Sequence, residues 1–407
     1  MDGFSAAQID QLRAKPETIL SVAESVRAPK ELLSQQLADV RSSLDGKPAD
    51  PLHYLDRASI DAIPVVEPVT LTLPEARSVG GAIPNLVAKR SGKLHAAPRV
   101  ELVTIGKQTR LSFARSTPYV TVDDQVVPQL SAAHSYLHSL FNWREELRKN
   151  VFEIENVYLI HDHFGGNNFA HWLMDWAPRF AFLDEVGIPR SKLHFFSPMP
   201  LSSVQRSTIA RLGIEPSQFI RFHRDTTSEP YTLLISRLFG CSTVGCDLRR
   251  PAQYASSWAL DFVRGLFLEQ DLPRNRNFRI GRKGTRQLLL SPEIESLLEA
   301  QGFETVFLED MSLDNQAALF NSAKTIVSAH GAALSNLIFC QPGTNVLEIF
   351  PPDYSTGNFF TVAAARGLNY FTLSGDRVER EKAKHRRDHD ISVSDVAAIK
   401  LFLEQCI

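Results

Sequence analysis

The sequence predicts an α/β protein with two α/β domains in tandem, each on a largely parallel sheet, facing one another across a cleft behind an extra helical N-terminal segment. Three observations predict it. From residue 157 onward, short runs rich in β-branched and aromatic residues alternate with stretches of helical period, the pattern of strand–helix–strand units. The alternation restarts after residue 232, and 407 residues suffice for two cores but not for one oversized one. The stretch SAHGAALSNLIFCQPGTNVLEIF, 328–350, reads as a strand end, a helix opening on Gly331, and a second strand carrying one acid, Glu348.

Each element follows from its residues. In the extension, residues 1–60, Leu33, Leu37, Val40 and Leu44 fall on one helical face, an apolar stripe that packs on the chain's own body or on a partner or second copy. Residues 61–98 hold many prolines and no strong period, which reads as an irregular connector. Short strands follow in VELVTI, LSFA and PYVTV, separated by polar turns. Helical texture at 130–149, a strand at 157–160, a helix at 169–186, a strand at 193–196 and a helix at 201–212 complete a first domain over 61–232. The second domain, 233–390, has strands at 233–236, 278–281, 305–308, 325–329 and 345–350, with helices at 253–269, 292–300 and 312–322 between them. A final helix at 394–404, within 391–407, is expected to cross back to the first domain.

Composition narrows the function classes. A net charge of -2 argues against a protein whose main partner is nucleic acid. No window approaches eighteen consecutive apolar residues, and the first thirty residues carry acids where a leader has its apolar core, so the expectation is a cytoplasmic protein, with peripheral membrane association compatible. Four cysteines without CxxC spacing indicate neither a zinc ribbon nor a disulfide framework.

Three constellations carry chemistry. A helix N-terminus at the carboxyl end of a parallel strand presents unpaired N–H groups and a positive partial charge to a phosphate, here at Gly331 and Ala332. Glu348 on the next strand is placed to accept two sugar hydroxyls, and a single glycine favours a mononucleotide over a dinucleotide. The run HDHFGGNNFAHWLMDWAPRF, 161–180, concentrates three histidines and two aspartates after a strand, where α/β domains meet ligands. His171 and Asp175 lie four apart on one helical face, and Arg179 is four beyond Asp175 and able to pair with it. A zinc site at His161, His163 and Asp175 is the competing reading. Finally, FRIGRKGTR ends a strand in Arg282, Lys283 and Arg286, three cations suited to a diphosphate.

These residues carry a resemblance. NNFAHWLMDWAPR resembles the N-x-x-H-W-x-x-D-x-x-P-R block of glycosyltransferase family 61, and Arg282, Arg286, Pro292-Glu293, SAHGAALSNLIF, Pro342-Gly343 and LEIFPP look like that family's second block, in order. The run Leu289-Leu290-Ser291 departs from the Asn-Glu pair common in the family. The resemblance implies two Rossmann-like domains of the GT-B type and an inverting, metal-independent glycosyltransferase that uses a nucleotide sugar, UDP-linked, as co-substrate with no other cofactor. It implies a glycan or glycoconjugate acceptor, and points to a bacterial capsule or lipopolysaccharide-type member. On this reading Asp175 or His171 is the catalytic base, with the other orienting it. His163, Asn168, Trp172 and Arg179 lie on the acceptor side. Arg282, Lys283, Arg286, His330, Gly331, Ala332, Asn336 and Glu348 hold the donor, although His330 equally suits capping the strand. The alternatives from other classes are a non-catalytic glycan- or nucleotide-binding subunit held by its N-terminal helices, and a zinc hydrolase built on the 161–175 cluster.

Overall fold

A computed structural model of the chain describes residues 60–97, 99–114, 117–123, 125–127, 130, 151–160, 168–197, 201–221, 232–242, 246–247, 252–253, 256–380 and 389–406. Residues 1–59 of the helical extension, residues 131–149 of the expected helical texture and the loop holding His161 and His163 lie outside the described residues.

The fold is mixed α/β with several sheets. In the first large sheet, Phe219–Arg221, His194–Ser197, Val151–Leu159 and Thr232–Cys241 run parallel in that order. The far side of Thr232–Cys241 is antiparallel: its first half pairs with Thr109–Ala114 and its second half with Val100–Ile105. A largely parallel sheet was expected, and this one is mixed. The reason lies in connection length: Thr109–Ala114 and Thr117–Val122 are joined by two residues, which suffice for an antiparallel hairpin and never for a parallel crossover. Thr232–Cys241 also runs through the boundary expected at 232, so this strand belongs to the first sheet.

The second large sheet is parallel throughout, in the order Phe303–Phe307, Arg276–Gly281, Ala323–Ala329, Asn345–Phe350, Asn369–Ser374, Arg77–Gly80. Asn345–Phe350 is buried at every position, as a central strand covered on both faces should be. Its alternate side chains serve two cores. Leu347 and Ile349, with Val327 and Phe371, pack under the helices Pro292–Ala300 and Val396–Glu404. Val346 and Phe350 face the other way, into a core that continues through Phe320, Leu334 and Leu337 to Trp172, Phe180 and Tyr158 of the first half.

Two expectations are corrected here. The connector supplies the edge strand Arg77–Gly80 of the second sheet. The final helix does not return to the first domain: Ala398, Ile399 and Phe402 bury against the second sheet beside that edge strand. Gly80 permits the contact, since a Cβ there would lie 2.7 Å from Leu373 Cδ1 and 2.9 Å from Ala398 Cβ.

Candidate active site

The helix expected at 169–186 forms with three windings: α over Phe169–His171, π over Trp172–Trp176, and 3-10 over Ala177–Phe182. Asn168 caps it, its Oδ1 accepting from the N–H groups of Ala170 at 3.0 Å and His171 at 3.2 Å. Pro178 has no N–H to continue the ladder, and Ala177 N–H reaches back five residues to the Trp172 carbonyl. This wide turn contains Asp175, and such turns recur at functional sites.

Asp175 is buried and its Oδ2 is hydrogen-bonded to His171 Nδ1. The His171 side chain retains 22% exposure and stacks on Trp176 at 6.2 Å. The exposed member of the pair is therefore the imidazole and the buried carboxylate orients it, an arrangement that fixes the ring's direction. Other residues of the matched block are structural. Trp172 is buried, donating from Nε1 to Thr208 Oγ1 at 3.0 Å. Arg179 is buried; its Nε donates to the Asp175 carbonyl at 3.1 Å and its Nη1 to the Cys241 carbonyl at 2.9 Å, stapling the helix to the strand Thr232–Cys241. Asn168, Trp172 and Arg179 thus build the helix that carries His171, whereas an acceptor-side role was expected of them.

Phe169–His171 lies against Ala332–Phe339, the segment after Gly331, so the two constellations meet. Ala332–Phe339 is wound as 3-10 rather than α. Gly331 is extended, a conformation open to any residue, so its smallness matters for another reason: a Cβ there would stand 3.0 Å from Arg282 Nη1 and 3.7 Å from Arg286 Nη1. Both guanidiniums converge on this one backbone position. Neither forms an ion pair among the described residues, and Arg286 Nε is buried without a hydrogen-bond partner there. Burial, with the neighbouring Arg286 charge, pulls the Arg282 pKa down. Arg286 adopts φ 62°, a left-handed backbone unusual for a non-glycine residue and typical of functional strain. Glu309 offsets part of the Arg282 charge from a distance, and two guanidiniums held together with no bonded acid suit an anion.

Lys283 does not join them. It pairs with Asp310 at 2.6 Å on the exposed surface, so its charge is already neutralised. Asn336 is also corrected: it is fully buried, with Nδ2 donating to Gln316 Oε1 at 2.9 Å, and locks Ala332–Phe339 to the helix Leu313–Asn321.

Glu348 departs furthest from expectation. It is fully buried, His330 Nδ1 is hydrogen-bonded to Oε1, and the Tyr370 hydroxyl donates to Oε2. Both oxygens are occupied within the protein, so it does not present itself to a ribose. Sequence reasoning missed Tyr370, although an acid in a wholly buried strand was the signal, since it needs polar partners.

Among the described residues no three His, Cys, Asp or Glu side chains gather as a metal site, and no helix is long and apolar enough to cross a membrane. His161 and His163, on which the zinc reading depends, lie outside those residues.

The structure thus brings a histidine–carboxylate pair and an arginine pair onto segments that pack together, a combination of base and cations suited to group transfer. The family model described as Glycosyltransferase 61 matches residues 169–347, which contain His171, Asp175, Arg282, Arg286, His330 and Gly331. A β-1,2-xylosyltransferase of Oryza sativa subsp. japonica is 31% identical over 159 residues, 35% of this chain and 28% of that protein. The protein O-linked-mannose β-1,4-N-acetylglucosaminyltransferase 2 of Mus musculus is 37% identical over 106 residues, 24% of this chain and 18% of its own length. Its counterpart in Canis lupus familiaris is 27% identical over 254 residues, 55% of this chain and 42% of that protein. The chain thus spans less than half the length of these curated relatives. These matches support a glycosyltransferase.

Proposed function

We propose that the protein is an inverting, metal-independent glycosyltransferase of the GT-B type, moving a sugar from a UDP-sugar to a hydroxyl of a glycan or glycoconjugate, working in the cytoplasm. The observation that carries the reading is the convergence of Arg282 and Arg286 on Gly331, with no acid in an ion pair with either among the described residues, on the segment against which the His171 helix lies. The names of the relatives make UDP-xylose and UDP-N-acetylglucosamine the first donors to test.

In this mechanism His171 is the base and Asp175 the group that orients it. His171 Nε2 takes the proton of the acceptor hydroxyl as its oxygen bonds to the anomeric carbon. The bond from that carbon to the diphosphate breaks on the opposite face, and its electron pair leaves with the phosphate oxygen. The charge that develops there is met by the two guanidiniums and by the backbone N–H groups after Gly331. Asp175 stabilises the imidazolium until it releases its proton to water.

The test is hydrolysis and transfer with UDP-xylose and UDP-N-acetylglucosamine in the presence of a chelator, alongside calorimetry with UDP. Turnover that His171→Ala abolishes while UDP binding survives is expected. No UDP binding by the wild type, together with no turnover of either donor, would sink the proposal, and turnover only with added metal would sink its metal-independent form.

A further inference from the structure

The reaction just described leaves one buried assembly without a task. Glu348 is an acid within the wholly buried strand Asn345–Phe350, and such a group is retained at substantial cost unless its oxygens are hydrogen-bonded. His330 Nδ1 and the Tyr370 hydroxyl satisfy them, one each. Burial and the Glu348 charge raise the Tyr370 pKa well above its ordinary value, so the phenol keeps the proton it donates to Glu348. The His330 ring is fixed on its other sides. Phe350 stacks on it at 4.9 Å and 20°, while Tyr354 at 5.3 Å and Phe359 at 5.6 Å close around it. Its backbone N–H donates to the Ile349 carbonyl at 2.8 Å. Among the described residues Nδ1 has its partner and Nε2 has none, and the next residue is Gly331, where Arg282 and Arg286 converge.

We propose that Glu348 and Tyr370 are positioning residues that fix the His330 ring so that its Nε2 edge is presented to the diphosphate of the nucleotide next to the Arg282–Arg286 pair. This rests on the glycosyltransferase reading. A carboxylate behind Nδ1 fixes the direction of the ring, and a hydrogen bond to a charged phosphate oxygen is the stronger kind. The groups facing His330 are Glu348 and Tyr354, with Tyr370 on the far oxygen of Glu348 and Arg282 and Arg286 beyond Gly331. The contact strengthens as charge develops on the leaving group. UDP already carries that charge, whereas the intact donor does not.

The consequence is a split between binding and turnover. Losing a charge-assisted hydrogen bond corresponds to about tenfold or more. His330→Gln and Glu348→Gln are each expected to weaken UDP binding about tenfold by calorimetry, and to lower kcat with a UDP-sugar by a similar factor, with donor KM within about twofold of wild type. Because Glu348 acts through His330, the double variant should be no worse than His330→Gln alone. Tyr370→Phe, which removes only a hydroxyl, should show the same pattern at about threefold and carries the test if Glu348→Gln does not fold. Folded variants that bind UDP as the wild type does, or effects of His330→Gln and Glu348→Gln that multiply, would overturn the inference and leave the functional reading intact. A wild-type protein that binds no UDP would overturn both.

Discussion

Replacing Arg282 by glutamine separates affinity from stability in opposite directions. The Nη1 atoms of Arg282 and Arg286 lie 3.0 and 3.7 Å from a single point, so at most about 6.7 Å apart, and unit charges at that range repel by about 2.5 kcal/mol at an effective dielectric of about 20. With no acid in an ion pair with either among the described residues, the empty site bears the part of that repulsion that Glu309 does not offset, together with the partial desolvation of Arg282. A diphosphate relieves both. Arg282→Gln should therefore weaken UDP binding by about 1.5–3 kcal/mol, roughly ten- to hundredfold. It should leave the melting temperature of the unliganded protein unchanged or raised by about 2 °C, since solvent screens part of the repulsion. Isothermal calorimetry with UDP and a thermal melt without ligand measure the two. Lys283→Gln is the control, its charge being already paired with Asp310, and should stay within about twofold of wild type. The reasoning fails if Arg282→Gln binds UDP as the wild type does, if Lys283→Gln loses as much, or if Arg282→Gln lowers the melting temperature by more than about 5 °C.

Four further outcomes follow from the same geometry. His171→Ala and Asp175→Asn should each lower kcat by about 10²–10⁴ with UDP affinity kept, measured by single-turnover release of UDP. Gly331→Ala requires no backbone strain but pushes against Arg282, so UDP titration should show weaker binding at a melting temperature close to wild type. Tyr158→Phe removes the 2.6 Å hydrogen bond from the hydroxyl to the Arg179 carbonyl and should cost about 1 kcal/mol of stability in urea unfolding. Tyr158 and Tyr370 both hold their protons more tightly folded than unfolded. Stability should thus be intact below the ordinary phenol value of 10.0 and fall as pH rises beyond it, and Tyr158→Phe should flatten that fall in melts taken across the alkaline range.

Much of the second sheet was legible. Strands expected at 278–281, 305–308, 325–329 and 345–350 appear as Arg276–Gly281, Phe303–Phe307, Ala323–Ala329 and Asn345–Phe350; the last two are central, buried and largely apolar, the first two alternate in burial or lie at the edge, and helix caps such as Ser291 and Ser312 punctuate the series. The edge strand Arg77–Gly80 was not legible. Its four residues, RSVG, have no period of their own and are extended because Asn369–Ser374 pairs with them. The mixed first sheet was missed for a related reason: local pattern marks a strand but not the direction of its neighbour.

For the site, sequence alone determined which residue types stand together locally: His171 with Asp175 one helical turn apart, the cations after the strand that ends at Gly281, and glycine at 331. Spacing along one element is dictated by helix and strand geometry, so these groupings survive folding. Only the tertiary structure decided who serves whom. It turned Trp172, Arg179 and Asn336 inward as supports, neutralised Lys283 on the surface, and closed both oxygens of Glu348 onto His330 and Tyr370. Those outcomes depend on partners brought together from distant parts of the chain, Thr208, Cys241, Gln316, Asp310 and Tyr370 among them, and a buried polar group takes its role from the partner that satisfies it.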